Sequence, residues 1–402
     1  MSESNLDGTP GCWDRIETAG LKAFLLGAVI PRAVMSSRAA ARRSDESGIP
    51  AWNLGIRQFG ETATDELFIA ISALYRETPD LELVRGEVET CRGAAEELLA
   101  LGVAGAHQDP PPMALLGLRR RRVGRIRFEH LEFESRPQFP DALVATGHGR
   151  VEVAHARVLR HHGEPRPWVV WIHGAEQGRF DDLFAFRVRH LHEELGLNVA
   201  MPVLPQHGPR RDLGKSWPGF DLLGNVATMM RAVSDVRTLV AWIGEQDPVS
   251  VTVIGMSLGG PVAALTAGLD PSVDGVGVMV PMLDANATIA YHLARTGGRG
   301  KRLAALLRDE AVQACGTVVD PTALEPFAPV SRRLVVAAVN DRMTSVQAAQ
   351  RLHERWGGQV HWHAGGHIGH LLSGDVRTAV DQFLLGEPVE PGPVPAEVPD
   401  VG

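Results

Sequence analysis

The sequence predicts an α/β protein with a mostly parallel eight-stranded sheet, helices on both faces of that sheet and an N-terminal helical extension. Two observations lead to this prediction. From residue 124 onward, short apolar runs alternate with segments of helical periodicity, as expected where parallel strands are joined by helical crossovers. In addition, the middle strands are apolar along their whole length, which is typical of strands covered on both faces.

The predicted strands and helices follow one another between residues 125 and 385. The first two strands, at residues 125–128 and 151–154, alternate polar and apolar residues and suit half-exposed antiparallel strands. The later strands are predicted at residues 168–172, 198–203, 249–254, 276–280, 334–339 and 359–363. The helices between and after them are predicted at residues 180–195, 226–243, 261–269, 345–356 and 375–385.

Changes in composition divide the chain into predicted parts. Residues 1–123 form the N-terminal helical extension, which ends in a proline-rich break and the basic run Arg119 to Arg122, interpreted as a solvated edge before the first strand. Residues 124–386 form the sheet domain, and residues 282–331 within it are a cap-like insert. Residues 387–402 are rich in Pro and Glu and are predicted to be a disordered tail.

The composition is that of a globular protein without special partners. Of the 402 residues, 44% are hydrophobic and 22% are charged, and the net charge of -8 gives no reason to expect a nucleic acid partner. The three cysteines are widely spaced and match neither a disulfide framework nor a metal-binding motif. No secretory signal is visible at the N-terminus, so a cytoplasmic location is expected.

No apolar run is long enough for a stable membrane span. The best one, residues 21–34, is interrupted by charged residues and a proline, and basic residues follow it. It leaves open a peripheral contact with a membrane surface, although a helix packed against its own protein is the favoured interpretation. The sequence does not indicate an oligomeric state.

Ser257 is the most informative residue, because it lies at the centre of the pentapeptide Gly255-Met256-Ser257-Leu258-Gly259. A β-branched apolar strand precedes this G-x-S-x-G motif, and a Gly- and Ala-rich helix follows it. Strand, sharp turn and helix in that order are the context of a nucleophile elbow. Ser257 is therefore the predicted nucleophile.

A serine nucleophile needs an imidazole base, and the imidazole needs an acid that fixes its tautomer. Asp341 follows the strand at residues 334–339 and would lie at the same edge of the sheet as Ser257, with Asp284 as the alternative acid. His367 is the favoured base, because paired glycines before it let the loop swing towards Ser257. His370 is the alternative base.

Backbone N–H groups are needed for the oxyanion that forms on the attacked carbonyl. The predicted donors are Leu258, directly after the nucleophile, and Gly174 or Ala175, directly after a strand that ends in His173. His173 itself is interpreted as structural. His361 and His363 share one face of a strand, but no third ligand has suitable spacing, so no metal and no other cofactor are expected.

These motifs resemble the α/β-hydrolase superfamily over about residues 124–386, and within it uncharacterised bacterial esterase-like serine hydrolases. Ser257, Asp341 and His367 occur in the family's chain order of nucleophile, acid and base. The segment around His207 and Gly208 is similar to the family's loop beside the substrate pocket, which implies a substrate-binding role for these two residues.

The resemblance implies an α/β-hydrolase fold and a serine hydrolase, carboxylesterase- or lipase-like, that acts on a small-molecule acyl ester. An acyltransferase or a thioesterase would use the same three residues, and a non-catalytic binding or scaffold protein is a further alternative.

Overall fold

The computed structural model describes residues 60–61, 63–69, 79–212, 216–294 and 297–392. Its centre is a mixed nine-stranded sheet with the strand order β1-β2-β3-β5-β4-β6-β7-β8-β9. The strands are β1 (Leu115–Val123), β2 (Ile126–Ser135), β3 (Glu152–Leu159), β4 (Trp168–Ile172), β5 (Asn198–Val203), β6 (Val251–Met256), β7 (Gly275–Met279), β8 (Arg333–Ala338) and β9 (Gln359–His363). The pairs β1–β2, β2–β3 and β3–β5 are antiparallel, and all the other pairs are parallel.

Helices cover both faces of this sheet. They are α1 (Leu81–Ala106), α2 (Asp141–Ala145), α3 (Asp182–Ala185), α4 (Leu222–Gly244), α5 (Gly259–Leu269), α6 (Ala285–Ala294), α7 (Gly298–Leu307), α8 (Glu310–Gly316), α9 (Val346–Trp356) and α10 (Gly374–Leu385). The helix predicted at residues 180–195 is in fact the short α3 followed by a π-helical turn, His190–Glu194. The predicted α/β class, with its mostly parallel sheet and helices on both faces, is confirmed.

The sheet has one strand more than the eight that the sequence predicts. The additional strand is β1, which contains the basic run Arg119 to Arg122 and pairs with β2 in the register Arg119↔His130. Most of its side chains are exposed, so it lacks the apolar alternation by which the other strands were recognised. Charged side chains on an edge strand also discourage pairing with a further strand. The sheet thus begins at Leu115, inside the segment assigned to the N-terminal extension, and the rest of the domain division stays a prediction.

Two hydrophobic clusters sandwich the sheet. One lies between the sheet and helices α4, α5 and α9, with Val236, Leu265 and Trp356 among its members. The other lies under α3 and α10 and includes Leu183 and Phe383. Because β4 and β6 are buried on both faces, their ends are held rigidly, and residues that leave these ends are well positioned.

A third cluster joins α1 to the predicted insert. Val84 and Leu98 of α1 are fully buried in it together with Leu303 of α7 and Cys315 of α8. The thiol of Cys315 donates to the carbonyl of Cys91 at 3.2 Å. Helix α1 of the N-terminal extension therefore packs against the insert as one helical layer.

Two of the long helices have clear start and stop signals. Asp221 precedes α4, and its carboxylate accepts a hydrogen bond from Gly224 N at 2.7 Å. Ser345 caps α9 in the same way through Ala348 N, and α9 ends at Gly357 in the left-handed conformation, with φ at 62°. The Ser345 cap fixes the end of the segment between β8 and α9, where Asp341 lies.

The chain after α10 returns along β9. The carbonyl of Pro391 accepts from Trp362 N at 2.8 Å, and that of Glu390 lies 2.9 Å from His361 Nδ1. The remainder of the predicted tail and the apolar stretch at residues 21–34 lie outside the described residues. Among the described helices, none combines the length and the apolar character that crossing a membrane requires.

Candidate active site

Ser257 occupies the turn between β6 and α5, at the carboxyl edge of the parallel strands. Its φ of 51° lies in the left-handed region, which costs a residue with a side chain about 1–3 kcal/mol. Backbone hydrogen bonds hold this conformation. The N–H of Ser257 donates to Met279 O at 2.8 Å, and its carbonyl accepts from Met282 N at 3.0 Å. The turn thus presents the serine at the end of a buried strand.

The two glycines of the pentapeptide allow backbone segments to pass close to each other. A Cβ at Gly255 would overlap the carbonyl oxygen of Gly259, and a Cβ at Gly259 would lie 2.6 Å from the carbonyl oxygen of His173. Side chains do not tolerate such approaches, so only glycine fits at both positions. Because these two glycines have no side chains, α5 can start directly behind β6, and the segment after β4 can lie beside Ser257.

His367 lies next to Ser257 in the loop between β9 and the 3₁₀ turn Gly369–Leu372. Its Nε2 is 3.0 Å from Ser257 Oγ, a distance at which the hydroxyl donates a hydrogen bond to the ring. Both side chains are buried. The predicted base and the predicted nucleophile are therefore together in the structure.

Asp341 lies on the other side of the same imidazole. His367 Nδ1–H donates to Asp341 Oδ2 at 2.7 Å. The carboxylate is held in turn by the N–H groups of Met343 (2.7 Å) and Thr344 (2.8 Å) on Oδ1, and by the hydroxyl of Thr344 on Oδ2. This fixes the ring in the tautomer that leaves Nε2 free to accept a proton.

The charges of this pair support each other. Burial by itself would raise the pKa of Asp341, but the positive charge of His367, its hydrogen bond and the two backbone donors bring the pKa below the ordinary value. Burial likewise lowers the pKa of His367, but the charge and the hydrogen bond of Asp341, together with the charge of Asp65, raise it above the ordinary value. The arrangement therefore favours an imidazolium next to a carboxylate.

The structure separates the two alternative residues from Ser257. His370 Nδ1 is hydrogen-bonded to the backbone carbonyl of His367, and burial lowers the pKa of His370 to about 3. Asp284 is exposed and accepts from Ala287 N at 2.8 Å at the start of α6. Neither takes the position that the favoured base or acid occupies.

The predicted oxyanion donors surround Ser257 from two segments. Leu258 follows the serine directly, and a Cβ built on Gly174 would lie 3.2 Å from Ser257 Cβ, so the segment after β4 is in contact with the nucleophile. The N–H of Gly174 already donates to the side chain of Gln177 at 2.7 Å. Ala175 is the next residue along the same loop. Gln177 was not singled out from the sequence, where nothing distinguishes it from other loop residues.

His173 is fully desolvated and takes a different role. Leu204 N donates to its Nε2 at 3.0 Å, so Nδ1 carries the proton and donates to Gly174 O at 2.7 Å. Burial lowers its pKa well below the ordinary value. The ring is a neutral link between the ends of β4 and β5 that orients the Gly174 peptide, as the structural interpretation of His173 expects.

The same fold is found in a solved esterase. The structure is similar to an acetyl xylan esterase from Paenibacillus sp. R4, with a TM-score of 0.51 and 15% sequence identity, over 73% of this chain and 92% of the esterase. The predicted α/β-hydrolase fold is thus confirmed.

Relatives in sequence come from Mycobacterium tuberculosis. The chain is 34% identical over 292 residues to the uncharacterised protein Rv2627c of strain H37Rv and to the uncharacterised protein MT2702 of strain CDC 1551 / Oshkosh, and the match covers 70% of this chain and 70% of each relative. The chain belongs to their family. No protein-family model matches it.

His207 and Gly208 line a pocket of about 110 Å³, and Gln177, whose side chain accepts from Gly174 N, belongs to the same lining. His207 Nδ1 is bonded to Pro205 O at 2.9 Å, and its ring meets those of His173 and Trp217 edge to face. Gly208 has a φ of 50°, and a Cβ there would overlap Gly178 O. The lining is mostly polar and consists of Glu176, Gln177, Arg179, Gln206, His207, Gly208, Arg211, Ser216 and Trp217.

A second group of polar side chains lies across β2 and β3. His130, Glu132 and His155 offer ligand atoms that all lie within 4.8 Å of one another. Burial lowers the pKa of both histidines, and the positive charges of several arginines lower it further, so the surrounding charges oppose a divalent cation. These arginines are Arg119, Arg121, Arg157 and Arg210. We assign no metal to this group.

Two acidic residues that sequence reasoning missed contact the loop of His367. They belong to a helical segment at residues 60–61 and 63–69, named here the acidic helix. Glu61 accepts from Gly366 N at 2.7 Å, and its carboxylate lies 3.3 Å from His363 Nε2. Asp65 accepts from His367 N at 2.8 Å. Their spacing of four residues places both on one helix face, but the same pattern occurs on any solvated face.

Proposed function

We propose that the protein is a serine hydrolase of the carboxylesterase type, which cleaves a small-molecule carboxylic ester through an acyl-enzyme on Ser257. The observation that carries the proposal is the position of the His367 ring, 3.0 Å from Ser257 Oγ on one side and 2.7 Å from Asp341 Oδ2 on the other. Nucleophile, base and acid aligned in this way are the arrangement that activates a serine hydroxyl.

Acylation begins when His367 Nε2 takes the proton of Ser257 Oγ and the oxygen attacks the ester carbonyl carbon. The bond between this carbon and the alcohol oxygen then breaks, and the alcohol leaves with the proton that His367 carried. Asp341 stabilises the imidazolium that exists between these two proton transfers. The raised pKa of His367 supports this role.

Deacylation reverses the sequence with water. His367 takes a proton from a water molecule, the oxygen attacks the acyl carbon, and the bond to Ser257 Oγ breaks. The proton returns from His367 to Ser257 Oγ, and the carboxylic acid leaves. The enzyme is then restored.

The oxyanion of each tetrahedral intermediate needs backbone donors. We assign this role to the amides of Leu258 and Ala175, since the amide of Gly174 is engaged by Gln177 at 2.7 Å. Gln177 is also part of the pocket lining, so its side chain would lie near both the oxyanion and the part of the substrate that occupies the pocket. In this scheme Gly174 serves as a donor only when the Gln177 side chain moves away.

The pocket suggests the kind of ester. Its lining combines amide, carboxylate, guanidinium and hydroxyl side chains with one indole, and it includes His207 and Gly208. Such a surface would leave polar groups unpaired against a long aliphatic chain, which costs free energy. We therefore expect short or polar esters to be better substrates than long-chain ones.

Labelling with a fluorophosphonate probe tests the proposal, because the probe reacts with activated serines. The wild type should be labelled and should hydrolyse a panel of p-nitrophenyl esters, and Ser257→Ala should do neither. Ser272→Ala is the matched control, since this exposed serine precedes β7 at the opposite edge of the sheet. Labelling that persists in Ser257→Ala, or an unlabelled wild type, would contradict the proposal.

Labelling combined with two further assays distinguishes the alternative functions. An acyltransferase would be labelled at Ser257 but would give more ester product than acid when an alcohol acceptor competes with water. A thioesterase would prefer the thioester of a matched ester and thioester pair. A scaffold protein would remain unlabelled in every variant.

A further inference from the structure

Asp65 is buried completely, with 0% of its surface exposed, although it carries an ionisable carboxyl group. Its partners are backbone N–H groups of the loop that bears His367. Oδ2 accepts from His367 N at 2.8 Å, and Oδ1 accepts from Ile368 N at 3.0 Å. Oδ2 also lies 3.4 Å from Arg342 N, the residue after Asp341. One carboxylate thus links the loop of the base to the loop of the acid.

Glu61 adds a second contact from the same acidic helix. Its Oε2 accepts from Gly366 N at 2.7 Å, one residue before His367. The two carboxylates of the acidic helix therefore bind three consecutive amides, those of residues 366, 367 and 368. This is a continuous attachment along the segment that carries the imidazole.

The glycines of this loop fit the two carboxylates. A Cβ at Gly366 would lie 2.7 Å from Asp65 Oδ2, and a Cβ at Gly365 or Gly369 would overlap the carboxylate of Glu61. None of the three glycines has a positive φ. Their lack of a side chain is thus explained by the close approach of the acidic helix and not by an unusual backbone conformation.

The carboxyl group of Asp65 and the imidazole of His367 influence each other's pKa. Burial raises the pKa of Asp65 to about 6, helped by the negative charge of Asp341 and opposed by the charge of His367 and by the two backbone donors. Conversely, the charge of Asp65 contributes to the raised pKa of His367. The other titratable or charged groups near this loop are Glu61, Glu66, Arg342, His363 and His370.

We propose that Asp65 is a positioning residue for the proposed reaction, through which the N-terminal acidic helix holds the His367 loop against Ser257. Because the carboxylate lies beside this loop, its negative charge also favours the protonated imidazole. The inference rests on the proposed function and extends it to a segment about 300 residues away in sequence, since the contact between Asp65 and His367 spans 302 residues. Asp65 does not touch the reacting atoms, so it acts through His367.

Replacement of Asp65 by asparagine removes the negative charge and nearly preserves the shape of the side chain. In Asp65→Asn, one of the two backbone donors would face the amide NH₂ group instead of an acceptor, so the loop is held less firmly. We expect kcat for a p-nitrophenyl ester to fall about tenfold or more, with a smaller change in KM. The loss of the negative charge should also lower the pKa of His367, which shifts the acid limb of the kcat/KM profile to lower pH.

Glu61→Gln provides the second variant. It weakens the attachment at Gly366, so kcat should fall, but its carboxylate binds the amide of Gly366 and not that of His367, so the acid limb should move less than in Asp65→Asn. Glu97→Gln is the matched control, because Glu97 in α1 likewise accepts from a backbone N–H, that of Ala142 at 3.1 Å, away from the site. Its activity and pH profile should equal those of the wild type.

An NMR titration of the full-length protein, with isotope-labelled histidine rings, measures the pKa of His367 directly and does not require ester hydrolysis. The His367 signal is assigned by its loss in His367→Gln. A lower pKa of His367 in Asp65→Asn than in the wild type supports the proposal, and an unchanged pKa overturns it, whether or not the protein hydrolyses esters. If Ser257 is not labelled while the titration shifts, the proposed function fails and the coupling between Asp65 and His367 stands.

Discussion

The backbone N–H of His367 donates to the carboxylate of Asp65 at 2.8 Å, so the residue that we propose as the general base is held by a group from the other end of the chain. On its ring side, His367 is held by Asp341 at 2.7 Å. Two buried carboxylates therefore act on one histidine, one through the imidazole and one through the backbone. Their consequences for stability and activity are different and can be measured separately.

Asp65→Asn should change how stability depends on pH. The pKa of Asp65 is raised to about 6 in the folded protein, from 3.8, so the folded state binds more protons than the unfolded state between these values. As pH rises from about 4 to 6, the carboxyl group of residue 65 ionises first in the unfolded chain, so the free energy of unfolding of the wild type decreases over this range. The stability of Asp65→Asn relative to the wild type should therefore increase over this range, by roughly 2–3 kcal/mol at most. Urea unfolding at several pH values measures the difference, and a difference that does not vary with pH would contradict the raised pKa.

Asp341→Asn should lower kcat by roughly 10²–10⁴-fold without unfolding the protein. An asparagine donates where the aspartate accepts, so it selects the wrong tautomer of His367 and cannot stabilise the imidazolium. Steady-state kinetics on a short ester measures the effect. Asp284→Asn is the matched control, because Asp284 also follows a strand but is exposed and contacts α6 instead of His367. A comparable loss of kcat in Asp284→Asn would make the alternative acid the functional one.

The local parts of this site are readable from the sequence, whereas its long-range contacts are not. Ser257, Asp341 and His367 each follow a predicted strand, and because parallel strands end at one edge, their meeting could be expected before the structure was known. Asp65 gives no such signal, since its partners lie 302 and 303 residues away and its helix carries the charge pattern of any exposed face. Similarly, β1 was missed because mostly exposed strands lack the apolar alternation that marks the others.

As the pH is lowered, the activity of the wild type should begin to fall at a higher pH than it would if the general base were a histidine with the ordinary pKa. His367 must be neutral to accept the proton of Ser257, and Asp341 raises its pKa above the usual 6.5. A raised pKa means that protonation begins at higher pH, so kcat/KM should already fall as pH decreases through the neutral range. A profile measured from about pH 5 to 9 tests this, and an acid limb at or below the ordinary histidine value of 6.5 would be inconsistent with the expected shift.

Gly255→Ala should destabilise the protein strongly, because its Cβ would overlap the backbone carbonyl of Gly259 behind the nucleophile. Backbone cannot move aside as a flexible side chain can, so we expect a loss of about 3 kcal/mol or more in the free energy of unfolding. Gly93→Ala is the matched control, since a Cβ at this position in α1 meets nothing within 4 Å. Alanine is the better helix former, and this variant should gain up to about 1 kcal/mol. Equal stability of the two variants in urea would show that β6 and α5 do not approach as described.

Gln177→Glu tests the assignment of the oxyanion donors. The Gln177 side chain accepts from Gly174 N at 2.7 Å, and Gly174 in turn contacts Ser257, so a carboxylate at position 177 would place a negative charge beside the developing oxyanion. Repulsion between two neighbouring negative charges in a site of low dielectric raises the free energy of the transition state. We therefore expect kcat to fall by roughly 10²-fold or more while the fold is retained. Gln246→Glu makes the same chemical change before β6, at the opposite edge of the sheet, and should leave kcat unaltered. If Gln177→Glu also keeps its kcat, the oxyanion does not form next to Gly174, and the donors must be sought on the other side of Ser257.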